Sequence, residues 1–131
     1  MKKITILKII TLLIIMIVGI LSLSSFNHTP ENDIVGTWIH ENDLENKWQF
    51  TNNGICKWLN TDNSVDETFT YTISYTSPQC GYEVKTNGTQ FYYLKMIDAD
   101  GDEYCYDINV DTTTLSINYL GTTGYDLYIK Q

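Results

Sequence analysis

Residues 68–75 read TFTYTISY, and this stretch decides the fold class because two kinds of side chain alternate along it. Aromatic or branched apolar side chains stand at every second position, with Thr or Ser between them. Successive side chains of a β-strand point to opposite faces, so the pattern predicts a strand with one buried and one solvated face. The same period recurs in residues 103–110, 114–120 and 125–130.

This pattern and the turn signals between its repeats predict an all-β chain. Nine candidate strands span residues 35–41, 47–51, 55–59, 68–75, 82–85, 90–97, 103–110, 114–120 and 125–130. Asn53-Gly54, Asn87-Gly88 and Asp100-Gly101 are hairpin dipeptides because both residue types tolerate positive φ. No segment has a capped 3.6-residue period, and residues 40–47 are expected to form a loop. Short consecutive strands favour an up-and-down meander that closes on itself or stacks as two sheets.

Composition supports the same class. The 131 residues include ten Tyr, four Phe and three Trp, but only one Ala and no Arg. Aromatic and β-branched residues fit a pleated, half-buried surface, whereas Ala and Arg are among the strongest helix formers. The length suits one domain.

Charge excludes two classes of partner. Three of the eight Lys, at positions 2, 3 and 8, belong to the N-terminal leader, and all sixteen acidic residues follow Pro30. The remainder therefore carries five Lys against sixteen carboxylates, a formal charge of −11. Nucleic-acid binding and docking on an anionic membrane both need cationic side chains. We expect a soluble, self-repelling surface instead.

The leader, residues 1–25, is typical of an export signal. A basic start precedes an uncharged apolar run from Ile9 to Leu23. That run matches a signal-peptide core and is shorter than the ~20 residues that span a bilayer. Cleavage is expected after Ser24 or Ser25, and the alternative is an uncleaved anchor counted from Ile4.

Both alternatives place the rest of the chain outside the cytoplasm: in the periplasm, at the cell surface or secreted. Membrane contact is expected only through the N-terminal segment, if it is uncleaved. Residues 26–33 are interpreted as a linker and residues 34–131 as the domain, which is expected to be a monomer.

The domain opens with Gly36-Thr37-Trp38, followed by WQFTNNG at residues 48–54 and alternating strands to the C-terminus. This order of features resembles the bacterial lipocalin-like family. The resemblance implies an antiparallel, up-and-down, lipocalin-like β-barrel of about eight strands. In that family a G-x-W triplet begins the first strand, and its Trp closes the barrel bottom beneath an Arg of the last strand. The resemblance assigns this closure to Gly36 and Trp38, with Lys130 in the position of the absent Arg. A plain core Trp is the competing interpretation.

Three cysteines follow the leader, in a compartment where disulfides persist. An odd number allows at most one pair within the chain. We favour Cys80–Cys105, which closes a loop of about 25 residues, and Cys56 is then a buried thiol. Cys56–Cys80 is the alternative pairing.

No catalytic or metal motif is recognised. Asp98, Asp100 and Asp102 are spaced like calcium ligands, but Glu103 and Asn109 stand where that loop needs Gly and Glu. We expect a hairpin turn with solvated acids, no metal and no cofactor. His40 has no Ser or Cys motif beside it, so no triad is formed. The protein is not expected to be an enzyme; a hydrolase with a carboxylate pair is a lesser alternative.

Aromatic side chains are the remaining candidates for function. The buried face is expected to include Ile73, Val84, Leu94, Met96 and Ile108, together with eight aromatic residues. The eight candidate ligand-binding residues are Trp48, Phe50, Phe69, Tyr71, Tyr82, Tyr92, Tyr104 and Tyr106. Buried Tyr hydroxyls need partners, which a ligand or water can supply. A packed core with Tyr tips at the barrel rim is the competing interpretation.

The sequence therefore predicts an exported protein that binds a small, partly apolar ligand in an aromatic-lined barrel without catalysis. A second class stays open: an interaction or inhibitor protein that binds a basic partner through acidic loops. Weakening with ionic strength distinguishes the second class from cavity binding.

Overall fold

The computed structural model describes residues 28–86 and 91–131. The predicted export signal, its cleavage sites and the Asn87-Gly88 turn lie outside these residues. Within the described ranges, no helix combines the length and the apolar character that crossing a bilayer requires.

Eight strands form a closed antiparallel barrel, which confirms the predicted fold class. They are β1 Gly36–His40, β2 Asp43–Phe50, β3 Ile55–Leu59, β4 Val65–Ser74, β5 Tyr92–Ile97, β6 Glu103–Val110, β7 Thr114–Tyr119 and β8 Asp126–Lys130. Each strand pairs with the next in the chain, and β8 closes on β1. Closure leaves no sheet edge free to pair with another chain.

The connections alternate between the two ends of the barrel because consecutive strands are antiparallel. At the lower end lie the short helix α1, Pro30–Asp33, and the β2–β3, β4–β5 and β6–β7 connections. At the upper end lie the β1–β2, β3–β4, β5–β6 and β7–β8 connections. The stretch expected to be a linker therefore contains a helical turn, and Ile34 directly after it is fully buried.

Two of the predicted hairpin dipeptides form the turns assigned to them. Gly54 joins β2 to β3 with φ of 79°, and Gly101 joins β5 to β6 with φ of 90°. In the second turn the Asp98 carboxylate accepts the backbone N–H groups of Asp100 and Asp102, both at 2.9 Å. The acidic spacing that resembles a calcium loop thus builds a carboxylate-capped turn.

The core fills the barrel from the inward face of most strands. Its fully buried or nearly buried members are Ile34, Trp38, Phe50, Cys56, Phe69, Leu94, Met96, Ile108, Leu115, Ile117 and Tyr128. The alternation predicted for residues 68–75 holds at Phe69, Tyr71 and Ile73, which pack in or against this core. Tyr75 lies beyond the end of β4 and is exposed.

The predicted faces of the last strand are wrong. Tyr128 is 5% exposed, whereas Tyr125 and Ile129 are 59% and 43% exposed. The inward face of β8 therefore carries Asp126, Tyr128 and Lys130. Hydropathy alone assigns the opposite face, because the two charged residues at the strand ends hide the buried Tyr between them.

Two other segments differ from expectation. Residues 40–47, predicted as a loop, contain the start of β2 at Asp43, and only Glu41 and Asn42 form the turn. Residues 82–85, predicted as a strand, lie outside the barrel; their only ladder contact among the described residues is an isolated bridge between Tyr82 and Gln79. The barrel has eight strands because this ninth segment does not join it.

The segment 75–86, here called the strap, crosses the outer surface of β5 and β6. The predicted Cys80–Cys105 disulfide fixes it there, with Cα atoms 5.9 Å apart, and Cys56 is free and buried. Tyr93 points outward from β5 but is only 3% exposed, and its hydroxyl donates to Lys85 O at 2.8 Å. The strap thus buries an outward-facing patch that would otherwise meet solvent.

The β6–β7 turn gives a testable pH dependence. The Asp111 carboxylate accepts the backbone N–H groups of Thr113 and Thr114, both at 2.7 Å. These hydrogen bonds lower the pKa of Asp111 from 3.8 to about 2, and the bond from Thr113 has the largest effect. A carboxyl group whose pKa is lower in the folded state than in the unfolded state stabilises the fold at pH values above its unfolded-state pKa. This stabilisation is lost as the pH falls through the folded-state pKa.

We therefore expect Asp111→Asn to have a lower Tm than the wild type above about pH 4, with the difference vanishing toward pH 2. Thermal unfolding followed by circular dichroism across this range measures it. A Tm difference that stays constant from pH 6 to pH 2 would contradict the assignment.

Candidate functional site

A cavity of about 140 Å³ lies inside the barrel. Its lining residues come from β2, β5, β6, β7 and β8 and are Trp48, Phe50, Leu94, Met96, Tyr106, Ile117, Asp126 and Tyr128. Four are aromatic, three are aliphatic and one is charged. The cavity reaches solvent beside Asp126, whose side chain is 71% exposed.

An aromatic stack forms the β2 wall of the cavity. The Trp48 ring stacks on Trp58 with centroids 5.6 Å apart and planes 9° apart, and it stacks on Phe50 with centroids 6.4 Å apart. Its Nε1–H donates to the Tyr128 hydroxyl at 3.2 Å, across the barrel interior. Packing on both sides and this hydrogen bond fix the orientation of the Trp48 ring before any ligand enters.

Two tyrosines, Tyr106 and Tyr128, line the cavity. Burial raises the pKa of both Tyr106 and Tyr128 above the usual value, so both hydroxyls are neutral at physiological pH. Tyr128 accepts the Trp48 hydrogen bond, whereas the Tyr106 hydroxyl makes no hydrogen bond to any described residue. Tyr106 packs edge-on against Tyr119, with centroids 5.3 Å apart.

Two polar side chains, His40 and Asn46, lie beside Tyr128 near the upper end of the barrel, although neither lines the cavity. The His40 ring lies edge-on to Tyr128, with centroids 5.2 Å apart, and its Nε2 is 3.6 Å from Asp126 Oδ1. Asn46 precedes Trp48 by two residues, and hydrogen bonding from its side chain lowers the Tyr128 pKa in part. Asn46 Oδ1 is buried and has no hydrogen-bond partner among the described residues.

The lower end of the barrel is closed by Gly36, Trp38 and Lys130. Trp38 is fully buried, and its Nε1–H donates to Ile34 O at 2.6 Å. Lys130 Nζ lies 5.0 Å from the centroid of the Trp38 ring and donates to Asp33 O at 2.8 Å. A Cβ on Gly36 would stand 2.6 Å from Lys130 Cε, so a larger residue would displace the Lys130 side chain. The φ of 142° at this position is also one that residues with a side chain rarely adopt.

The structure places the eight predicted ligand-binding residues in three settings. Trp48, Phe50 and Tyr106 line the cavity. Four others pack in or against the core but do not line the cavity: Phe69, Tyr71, Tyr92 and Tyr104. Tyr82 lies outside the barrel, 48% exposed, and its assignment to the buried face is wrong.

Hydrogen bonds explain why two of the four packed residues are not in the cavity. The Tyr71 hydroxyl donates to Thr51 O at 2.7 Å at the lower end, and the Tyr104 hydroxyl donates to Asp98 Oδ2 at 3.1 Å at the upper end. Both tyrosines hold connections in place, in keeping with the competing interpretation of aromatic tips at the rim.

Sequence analysis misses five of the residues that line the cavity. They are Leu94, Met96, Ile117, Asp126 and Tyr128. It assigns Leu94 and Met96 to the buried face but not to a site. It also misses two polar neighbours of Tyr128, His40 and Asn46, and it places Asn46 in a segment expected to be a loop. The two-residue period continued from Trp48 back to Asn46 is the signal that identifies it, because both then face inward.

No known family model matches the chain, and no curated protein matches it. Burial raises the pKa of the Cys56 thiol well above its usual range, so the thiol stays protonated. Within residues 28–86 and 91–131, no group of three or more His, Cys, Asp or Glu is arranged to hold a metal ion.

Two other concavities lie outside the barrel. One of about 310 Å³ is bordered by Phe91, Asp107 and Tyr125, with the Tyr125 hydroxyl donating to Asp107 Oδ2 at 3.0 Å. The second, of about 230 Å³, lies against Leu44 and Ile129. Both are more open to solvent than the cavity inside the barrel.

Proposed function

We propose that the protein binds one small, partly apolar molecule inside the barrel and releases it unchanged. The observation that supports this proposal is the internal cavity, which combines seven apolar or aromatic lining residues with one acidic residue, Asp126. Ligand sites are concave and mostly apolar, with a few polar groups that fix orientation. Burial of apolar ligand surface supplies the driving force.

The cavity volume sets the ligand size. An apolar cavity of about 150 Å³ in another protein stays dry and binds benzene. At about 140 Å³, this cavity suits a molecule with one ring and a short polar substituent. A long acyl chain or a multi-ring ligand needs several hundred Å³.

The proposal extends to family and compartment. Lys130 over Trp38, with Gly36 beneath it, supports membership of a lipocalin-like family in which Lys takes the position of Arg. The disulfide suggests an oxidising compartment, which supports export. Within this proposal the protein is a non-catalytic monomer.

A cavity-filling variant tests the proposed site. Ile117→Trp adds an indole ring to the cavity wall. It is expected to weaken the binding of benzyl alcohol at least tenfold, because the new ring would occupy the volume that the ligand needs. Two-dimensional NMR titration of the full chain measures the affinity, with thermal unfolding to show that the variant is folded.

Val65→Trp is the matched control, since it adds the same ring to a residue that is 49% exposed and does not line the cavity. Equal affinity in Ile117→Trp and Val65→Trp would show that benzyl alcohol binds elsewhere. Absence of binding to the wild type at ligand concentrations of tens of millimolar would reject the proposed function.

A second candidate function rests on the exposed surface. Tyr82, Tyr119 and Tyr125 are 48%, 43% and 59% exposed, on a surface with a large excess of carboxylates. Exposed Tyr is enriched at protein interfaces, and the acidic charge would steer a basic protein to this surface. Such binding would weaken strongly between 50 and 500 mM salt.

A further inference from the structure

We propose that the barrel cavity selects small organic cations: one ring carrying a protonated amine. This inference rests on the proposed function and specifies its ligand class. It follows from three features of the cavity: the charges near it, an unused acceptor atom and the character of its walls.

Charge is the first feature. Outside the leader the chain has five Lys and no Arg, and none of the five lines the cavity. Lys130 is engaged at the lower end by Asp33 O and Trp38, and Lys95 pairs with Glu103 at 3.1 Å. Asp126 is therefore the one acidic or basic side chain among the described residues that line the cavity. An anionic ligand would meet a like charge there and no compensating cation.

Hydrogen-bond capacity is the second feature. Asn46 does not line the cavity, but its side chain is a hydrogen-bonding neighbour of Tyr128, which does. Its Oδ1 is buried without a partner among the described residues, and a buried acceptor gains free energy when a donor reaches it. The Asp126 carboxylate also only accepts. The Tyr106 hydroxyl can either donate or accept a hydrogen bond, so it does not change this excess of acceptors over donors. The polar part of the cavity thus favours a ligand head rich in N–H groups, and an ammonium has three donors and no acceptor.

The walls are the third feature. Four aromatic residues line the cavity: Trp48, Phe50, Tyr106 and Tyr128. Aromatic faces carry partial negative charge and attract a cation within about 6 Å of the ring centroid. They also accept an uncharged ring by apolar burial, so the same walls suit both halves of the proposed ligand.

Among the described residues, His40 is the one basic side chain within ion-pair distance of Asp126, because its Nε2 is 3.6 Å from the carboxylate. A protonated imidazole would supply the positive charge itself. The test is therefore made at pH 8, where histidine is ordinarily neutral and a benzylic amine is still charged. Tyr106 and Tyr128, which also face this part of the cavity, are neutral at that pH.

Three probes of matched size distinguish the ligand class: benzylamine, benzyl alcohol and benzoate, titrated into the full chain at pH 8 and 50 mM salt. We expect benzylamine to bind about fivefold more tightly than benzyl alcohol, the scale of an exposed charge pair, and benzoate to bind most weakly. Asp126→Asn should abolish the fivefold preference and leave the affinity for benzyl alcohol unchanged.

Asp100→Asn is the matched control, because it removes the same charge from the upper end of the barrel without touching the cavity lining. It should keep the preference. Benzyl alcohol binding as tightly as benzylamine, or a preference that survives Asp126→Asn, would overturn this inference and leave the proposed function intact. If none of the three probes binds, the proposed function fails and the inference fails with it.

Discussion

Replacing Trp38 with alanine is expected to reduce the free energy of unfolding by about 3–5 kcal/mol. Trp38 is fully buried at the lower end of the barrel, where Ile34 O accepts its indole N–H and the Lys130 ammonium lies over its ring. The substitution leaves a cavity and removes the partner of each of these groups. Urea denaturation followed by far-ultraviolet circular dichroism measures the change.

Trp38→Phe separates packing from hydrogen bonding. It keeps an aromatic ring beneath Lys130 but removes the donor to Ile34 O, so we expect a smaller loss of about 1–2 kcal/mol. Trp58→Ala is a further control, because Trp58 is 37% exposed and does not close the barrel. A loss for Trp38→Ala no larger than that for Trp58→Ala would show that the closure contributes little to stability.

Removing the disulfide with the double substitution Cys80→Ala and Cys105→Ala is expected to reduce the free energy of unfolding by about 3 kcal/mol. The cross-link closes a loop with a sequence separation of 25 and restricts the unfolded chain. Urea denaturation without reductant measures this loss. Hydrogen exchange at Gln79 and Tyr82, whose N–H groups donate to each other's carbonyl groups in the strap, should accelerate.

Cys56→Ala is the matched control for the disulfide, since it removes a buried thiol that forms no cross-link. We expect it to cost about 1 kcal/mol, in keeping with the loss of one small buried group, and to leave exchange in the strap unchanged. Exchange at Gln79 and Tyr82 that is as slow without the disulfide as with it would show that other contacts hold the strap in place.

The sequence predicts the strands well where a two-residue period lasts for at least five residues. The ranges of β3 and β6 agree with expectation, and β4 and β7 differ only at their ends. Alternation works there because one face meets the core and the other meets water. Residues 82–85 show the same local pattern over only four residues, which is too short to distinguish a barrel strand from a strap.

Faces are harder to predict where the interior accepts polar groups. In β8 the buried Tyr128 stands between Asp126 and Lys130, which lie near opposite ends of the barrel. Hydropathy cannot anticipate that one charged residue stands at a solvated opening and that the other donates to Asp33 O. Tyr93 is the opposite case, because it points outward from the barrel and is nevertheless buried. The strap covers it, and the position of the strap depends on a disulfide between residues far apart in the sequence.

The candidate site is predicted in part. Trp48, Phe50 and Tyr106 line the cavity as expected, because large aromatic residues on inward positions reach the barrel axis. Tyr71 and Tyr104 also point inward, but local hydrogen bonds hold them to connections at the two ends. The register between paired strands determines which inward side chains leave a cavity between them. The pattern of residues along a single strand does not reveal this register.

The position of Cys56 has a consequence for how the chain acquires its cross-link. Inside the closed barrel this thiol is buried and protonated, so it can neither attack the Cys80–Cys105 bond nor be captured by an external oxidant. Barrel closure before oxidation therefore leaves a single productive pairing, that of Cys80 with Cys105. Oxidation before closure leaves three possible pairs. The order of the two events thus determines how faithfully the protein matures.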